Sequence, residues 1–427
     1  AYTLESFTAA LVNGVNPNGL PFDRVMPVYH LSEEETRGLF AYLKTLSNEF
    51  SPGVDENTIH IATVVDRGSD PLRREAMLTI IDTFFTNKNA ETRNEKKRAQ
   101  SGPFYHDYRN KAYRTWVHHV WEMSGPPDTW TTQLTEYYRQ QPVFIMVSGL
   151  VENGWQPIHE FSEKNGIPSL LPNTDLPGNT SGGDYYTLYY SRGIELDARV
   201  AYKNLVDKGI SGPLVQVYRS AVGQAAAKTL SDLANTQDRA VTTVALTGET
   251  RDANLGKLLE TAGQNGGALL LWLDSTDLDD FTANAPPVTE DLPVYVSSSL
   301  LGGDLSRVPA SLQGKISVVH PFILPEEQDR RFLIVKAWLK RNKIELVDPR
   351  LQGQTYYACL MLNSGFTHIR RYFYRDYFLD LLDHGDRMAQ YSATYPRLSF
   401  GPEQRFLEKG AYVIDLRDMS ADWVVPY

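Results

Sequence analysis

PVFIMVSGLVENGWQPIHEFSEKNGIPSLLPNTDLPG, residues 142–178, decides how the rest of this chain is read. Pro142-Val143-Phe144-Ile145-Met146-Val147 is an apolar run of strand length that breaks at Ser148-Gly149. From about Trp155 a helix is expected, with Ile158, Phe161 and Ser162 on one face. Ile167-Pro168-Ser169-Leu170-Leu171 is a second strand, closing on the polar tip Pro172-Asn173-Thr174-Asp175. Ligands of open α/β sheets bind just beyond the carboxyl ends of the strands, so function is expected in the two polar loops.

The alternation extends outward from this unit. Upstream, Ile59 to Val65 is β-branched and strand-like, and Leu72, Ala76, Ile80 and Phe84 mark a helix. Residues 88–111 are polar, with the basic cluster Lys96-Lys97-Arg98, and read as a solvated insertion or the tail of that helix. A strand over 115–122 and a helix over 130–138 follow. After Gly182-Gly183 the pattern restarts, with strands expected at 185–190, 213–219, 241–246, 268–273, 293–297 and 316–319. Helices are expected over 194–205, 224–234 and 253–263, then at 328–342 and over a long stretch from about 355 to 382. Short strands are expected near 397–400 and 411–416. Repeated β–α units imply parallel sheets with right-handed crossovers, and this length of βαβα is too much for one core, so two lobes are expected.

The chain has 427 residues, 42% hydrophobic and 22% charged, an ordinary globular composition. No apolar run approaches the ~20 residues that span a bilayer, so no membrane insertion is expected. No signal peptide heads the sequence, and a mature or trimmed chain is expected. The formal charge of −10 argues against a nucleic-acid partner. The one cysteine, Cys359, sits among Tyr357, Ala358, Leu360 and Met361 and reads as a buried thiol. No disulfide framework or CxxC metal site can be built.

Residues 1–48 form a separate small unit. Tyr2 to Val12 reads as a helix, and Ser32 with Glu35 has capping-box spacing before a helix carrying Leu39, Phe40, Leu43 and Leu46 on one face. The stretch GVNPNGLPFDRVMPVYHLSEEETRGLFAYLKTLS resembles the C-terminal half of a class I c-type cytochrome. In that family the methionine of a Met-Pro pair is the distal haem ligand, which the resemblance places at Met26. The Cys-x-x-Cys-His that attaches such a haem is absent, so no cofactor is expected in this chain. Haem c is expected only in a longer parent protein, and the resemblance implies a periplasmic location.

Residues 49–58 read as a linker. Beyond it, the order of elements and the phrases QPVFIMVSGL, IPSLLPNTD, DYYTLYYSRGIELDARVAYKNL, PLVQVYRSAVGQ and PRLSFGPEQRFLEKGAYVIDL resemble the type I periplasmic binding-protein fold. The likeness is to the binding proteins of branched-chain amino acid ABC transporters, over about residues 57–420. It implies an α/β, two-lobed fold with a hinge: lobe 1 over 59–182 and 298–350, lobe 2 over 183–297 and 351–427. It also implies a ligand site at Ser148, Gly149, Glu152, Asn153, Asn173, Thr174 and Asp175 in lobe 1, with Tyr190, Arg192, Ser220, Asp274 and Ser298 in lobe 2. Members that bind amino acids usually have small hydroxyl residues where Glu152 and Asn153 stand. A carboxylate there repels a ligand carboxylate, so an amine, alcohol or aromatic ligand is expected beside an amino-acid-like one.

Enzyme chemistry finds no anchor. His118 and His119 are adjacent in a strand and point to opposite faces, so they cannot chelate one metal together. Asp274, Asp277, Asp279 and Asp280 lack the glycine and closing glutamate of an EF-hand loop and read as a helix start. No G-x-S-x-G, P-loop or H-E-x-x-H occurs, and His159 and His320 read as structural. The expectation is a non-enzymatic periplasmic solute-binding protein that closes on a small organic molecule and serves an ABC permease or a redox partner. The alternative is a redox-associated scaffold that docks a cytochrome or dehydrogenase without a small ligand.

Overall fold

The structure, a computed structural model, describes residues 2–23, 25–45, 50–99, 114–152, 154–180, 183–246, 254–289, 291–369, 372–401 and 404–426. The chain divides into two compact units, residues 1–50 and 51–427. In the first, α1 (Leu4–Asn13) and α2 (Glu33–Thr45) are both capped from the sequence. Ser32 Oγ accepts from Glu35 N at 3.2 Å while Glu35 Oε2 accepts from Ser32 N at 2.8 Å, the reciprocal bonds of a capping box.

In the larger unit the described strands form two sheets. The first runs β2 (Thr115–Met123), β1 (Thr58–Asp66), β3 (Ile145–Val147), β4 (Ser169–Leu170), β5 (Thr187–Leu188), all parallel. Its residues alternate between two covered faces. Ile59, Ile61 and Val65 pack with Met77, Ile81 and Phe85 of α3 (Pro71–Ala99), and Ala62 and Val64 pack with Trp130, Ile158 and Phe161. The latter come from α4 (Trp130–Gln140) and α5 (Gln156–Asn165). Burial on both faces is why these strands read as continuous apolar runs.

The second sheet runs β12 (Ser420–Val424), β11 (Ala411–Asp415), β10 (Ser317–His320), β9 (Val294–Ser297), β8 (Ala268–Trp272), β6 (Leu214–Tyr218), β7 (Val241–Ala245). It is parallel from β7 to β10, and β11 and β12 close it antiparallel. One face packs on α6 (Ile194–Asp207) and α7 (Ala221–Asn235), the other on α8 (Leu255–Gly263) and α9 (Ser275–Asn284). Gln216 is fully buried in β6 and satisfied: its Nε2, with two hydrogens to donate, lies 2.8 Å from each of Ala227 O, Ser231 Oγ and Thr243 Oγ1, and its Oε1 accepts from Trp272 Nε1 at 3.0 Å.

The return of the chain to the first lobe differs from the expected division. Residues 298–350 were expected in lobe 1, yet β10 pairs with β9 in the second sheet. Residues 351–427 were expected in lobe 2, yet α11 (Pro349–Ile369) and α12 (Arg375–Asp383) sit in the core of the first, with α10 (Pro325–Arg341) beside them. The chain thus crosses between lobes at 189–193, 321–324 and about 400–410. The crossings hydrogen-bond to their surroundings and each other: Tyr189 N donates to Arg405 O at 2.8 Å, Glu408 N to Tyr190 O at 2.7 Å and Ile323 N to Thr394 O at 2.9 Å.

The helix expected over 355–382 is broken between α11 and α12. The break lets α12 fold back so that the Phe378 ring lies where a Cβ on Gly365 would be 2.4 Å away. No strand forms at 397–400, and β12 was not foreseen. The polar stretch after residue 88 continues α3 as far as Ala99; the side chains of 92–99 and all of 100–113 lie outside the described residues. Among the described residues no helix is long and apolar enough to cross a membrane.

Candidate functional site

β3 ends in a turn at Ser148 (φ 54°) and Gly149 (φ 125°). A Cβ on Gly149 would lie 2.3 Å from the Trp155 ring and 2.8 Å from the Val64 carbonyl oxygen, so the turn requires glycine. The turn aims Ser148 Oγ at Asn173 beyond β4, whose Nδ2 donates to it at 2.7 Å and to Gly149 O at 3.1 Å. Thr355 Oγ1 of α11 lies 3.4 Å from both Ser148 Oγ and Asn173 Nδ2. All three side chains are buried, and Asn173 Oδ1 is buried without a hydrogen-bond partner among the described residues.

Two residues on, Asp175 forms a two-pronged ion pair with Arg350 of α11: Nη2 meets Oδ1, and Nη1 lies 3.4 Å from Oδ2. The guanidinium sits 4.5 Å from the centroid of Phe322 and reaches Ser299 O at 3.5 Å. Burial works against its charge, and Asp175 with Tyr395 and Asp348 more than offsets this, holding Arg350 above its ordinary value. Asp348 Oδ1 accepts from Leu351 N at 2.9 Å and caps the helix that carries Arg350.

Across the cleft, β9 ends at Ser297, and Ser298 and Ser299 follow it in the turn. Ser297 Oγ donates to Asp197 Oδ2 at 2.6 Å. Burial raises the fully buried Asp197 carboxyl to about 7, with repulsion from Asp175 adding to it and the serine hydrogen bonds opposing it. His320 Nδ1 lies 2.9 Å from Ser298 Oγ and Nε2 3.2 Å from Ile323 O. A carbonyl only accepts, so Nε2 carries the hydrogen and Nδ1 accepts from the Ser298 hydroxyl. Burial pushes His320 down to about 4, which leaves a neutral ring at neutral pH. Tyr395 stacks on Tyr190 with centroids 5.3 Å apart, and burial pushes the Tyr395 hydroxyl up to about 12.

Asp175, Arg350, Asp348, Ser299, His320 and Phe322 border an interlobe cavity of about 890 Å³. Arg73, Asp175, Asp348 and Arg350 line its first-lobe side, and Ser299, Asp304, Arg307 and His320 its second-lobe side. Arg73 pairs with Asp348 at 2.9 Å and Arg307 lies 3.7 Å from Asp304, so three arginines are matched by three aspartates. Leu300, Phe322, Ile323 and Phe332 supply apolar wall. The lining suits a polar, uncharged or zwitterionic molecule with an apolar part: a net charge would meet a balanced wall.

The structure brings only some of the sequence-predicted residues here. Asp175 lines the cavity, Ser298 holds His320 in its wall, and Ser148, Gly149 and Asn173 form the buried knot beside it. Thr174 Oγ1 instead accepts from Leu176 N at 3.0 Å, and Tyr190 is buried with its hydroxyl donated to Gln354 O. Glu152 is exposed and Asn153 lies outside the described residues. Ser220 and Asp274 are exposed helix caps, accepting from Gly223 N at 3.1 Å and Asp277 N at 2.8 Å. Arg192 lies over the Phe406 ring at 4.3 Å and lines a different cavity. Arg350, Arg73, Asp348, Ser299 and Phe322 were missed. A signal existed for Arg350: an arginine in the first turn of a helix opposes the dipole, so something other than the helix must hold it there.

The discounted groups have identifiable partners. His118 meets Asp82 at 2.7 Å and Thr63 at 2.9 Å, whereas His119 meets His60 at 2.9 Å. Arg219 pairs with Asp277 at 2.6 Å and Asp280 at 3.1 Å. In the smaller unit Met26 is 54% exposed, and Thr36 is the only buried residue among those described. An exposed thioether without a buried pocket, in a chain whose one cysteine is buried elsewhere, does not fit a haem.

No protein-family model and no curated protein sequence matches the chain. Solved structures do match in fold. An ABC transporter substrate-binding protein from Sphaerobacter thermophilus aligns with a TM-score of 0.57 at 13% identity, covering 87% of this chain and 99% of that one. A branched-chain amino acid ABC transporter from Thermus thermophilus with bound valine aligns with a TM-score of 0.57 at 9% identity, covering 88% and 97%. A fatty acid ABC transporter substrate-binding protein from Thermomonospora curvata aligns with a TM-score of 0.53 at 14% identity, covering 88% and 94%. At such identities the likeness is one of fold, the two-lobed type I periplasmic binding-protein fold.

Proposed function

We propose, from this fold and its charge-balanced cleft, that the protein is a periplasmic solute-binding protein for a neutral or zwitterionic small organic molecule. The observation that carries the reading is the interlobe cavity of about 890 Å³, a size ordinary for a small-molecule site, with the Arg350–Asp175 pair in its wall. Its two walls belong to different lobes, so a ligand that touches Arg350 on one side and the Ser299–Arg307 loop on the other favours closure about the three crossings. The structural neighbours named for valine or fatty acid binding support a solute of that size class. The closed form would be the one presented to an ABC permease or redox partner.

Native mass spectrometry of the purified chain, gentle and then denaturing, is the first test. A small mass lost on denaturation identifies the solute. For an empty protein, a thermal-shift screen of amino acids, amines, alcohols and aromatic acids follows. A ligand at about 100 times its Kd stabilises by about 2.7 kcal/mol. A second reading, a docking scaffold without a small ligand, is favoured by the Ser148–Asn173–Thr355 knot, which consumes the first-lobe hydrogen-bonding groups internally. A screen without a single shift would sink the first reading in favour of the second.

A further inference from the structure

A second cavity of about 840 Å³ lies away from the cleft, between α6, the end of α7 and the crossing segment 404–409. Its charged lining is one-sided: Arg192, Arg199, Lys203, Arg405 and Lys409 against the single carboxylate Glu408. Two of the cations are neutralised locally, Lys203 by Asp207 one turn along α6 and Arg405 by the buried Asp383 at 2.8 and 2.9 Å. Glu408 is occupied by backbone donors, Arg397 N at 3.2 Å and Lys409 N at 3.0 Å. Lys409 donates only to neutral oxygens, Gln404 Oε1 at 2.9 Å and Phe406 O at 2.8 Å, and makes no ion pair among the described residues. Arg199 makes none either, and its Nε is buried without a hydrogen-bond partner. Burial lowers Lys409 below its ordinary value and the charge of Arg192 lowers it further, with Glu408 opposing both, so the cations are close enough to repel one another. A buried donor on Arg199 and the charge of Lys409 in a concave site are what an anion relieves.

The rest of the wall is apolar. Leu196, Val206, Leu233, Phe406 and Pro426 face the same space. An inorganic anion would leave that surface wet, whereas an anion carrying an aliphatic body covers it. We infer that this cavity is a second ligand site, which takes a small amphiphilic anion, its carboxylate or phosphate head held by Arg199 and Lys409 and its apolar body against Leu196 and Phe406. The inference does not depend on what the interlobe cleft binds.

The test is calorimetric titration of the full chain with octanoate, octyl phosphate, octan-1-ol and octylammonium, with hydrogen exchange to locate the bound molecule. One or both anions are expected to bind with a Kd near or below about 1 mM, the alcohol and ammonium at least about tenfold more weakly. The tighter anion then identifies the head group. Protection should appear over 194–207 and 404–409. Arg199→Gln should weaken the anion at least about fivefold, and Arg199→Lys less, because it keeps the charge. Lys203→Gln, on a half-exposed side chain paired with Asp207, should weaken it by a smaller factor. Equal binding of all four probes, no anion binding at several millimolar, protection only around 299–307 and 347–350, or an Arg199→Gln protein that binds as before would each overturn the inference.

Discussion

Arg350 and Asp175 meet across 175 residues of chain, and each is the reason the other tolerates its surroundings. Removing one partner of such a pair leaves the other charge poorly solvated. Arg350→Ala is therefore expected to destabilise by about 2–4 kcal/mol in urea and to abolish ligand-induced thermal shifts from the cleft. Unchanged shifts would place the ligand elsewhere. Gly149 is decided by space rather than charge. With φ at 125° and a Cβ 2.3 Å from Trp155, Gly149→Ala is expected to cost at least about 2 kcal/mol, read as a lowered urea midpoint. Asp197 offers a pH test. Its folded carboxyl titrates near 7, above the ordinary 3.8, so between those values the folded state holds a proton that the unfolded state has lost. The associated stability is fully present below about pH 4 and is lost as pH rises through 7. Asp197→Asn should remove that fall, gaining on the parent between pH 5 and pH 8 in urea titrations. His320 contributes with the opposite sign, because its folded value of about 4 lies below the ordinary 6.5, and so raises stability with pH over that window.

At the scale of elements, the α11–α12 hairpin holds the first lobe to its strand ends. Arg375 opens α12 and is buried, and it forms no ion pair among the described residues. Its guanidinium donates to Val143 O at 2.6 Å, Phe144 O at 3.0 Å, Gly166 O at 3.0 Å, Pro52 O at 3.2 Å and Tyr138 Oη at 3.1 Å. It thus ties the start of the unit, the entry to β3 and the end of α5 to one helix. Arg375→Met should cost about 3–5 kcal/mol, since it strips donors from carbonyls that burial keeps from water. A loss below about 1 kcal/mol would show that these acceptors find other donors.

For the larger unit as a whole, the three crossings carry the mechanics. The crossings at 189–193 and about 400–410 bond to each other and Ile323 bonds to Thr394, so these short segments can bend while both cores stay packed. Small-angle scattering with saturating cleft ligand should show a smaller radius of gyration, and no change would argue against closure. Two cavities of similar volume and opposite electrical character lie on this frame, one charge-balanced and one cationic. The net charge of −10 conceals the second, because the acidic residues that outweigh it lie elsewhere on the chain.

The α/β class, the alternation of helices and strands and the apolar strands were legible from local pattern alone, whereas α7, α10 and α11 begin three to six residues before the starts expected at 224, 328 and about 355. A strand buried on both faces must be continuously apolar, and a cap must place its oxygen within one turn. The polar tips at Ser148, Asn173 and Asp175 were legible for the same reason: each follows directly on its strand. Sheet membership was not. Ser317–His320 and Val294–Ser297 look alike as short apolar runs, and only pairing shows that they are neighbours. Nor was the choice of which polar groups meet. Ser220 and Asp274 had the right chemistry but are engaged by their own helices, while Arg350, Ser299 and His320 reach the cleft from separate segments. Local sequence determines backbone periodicity and caps, because those interactions span a few residues. The site is assembled by contacts between distant segments, and these exist only once both lobes are packed.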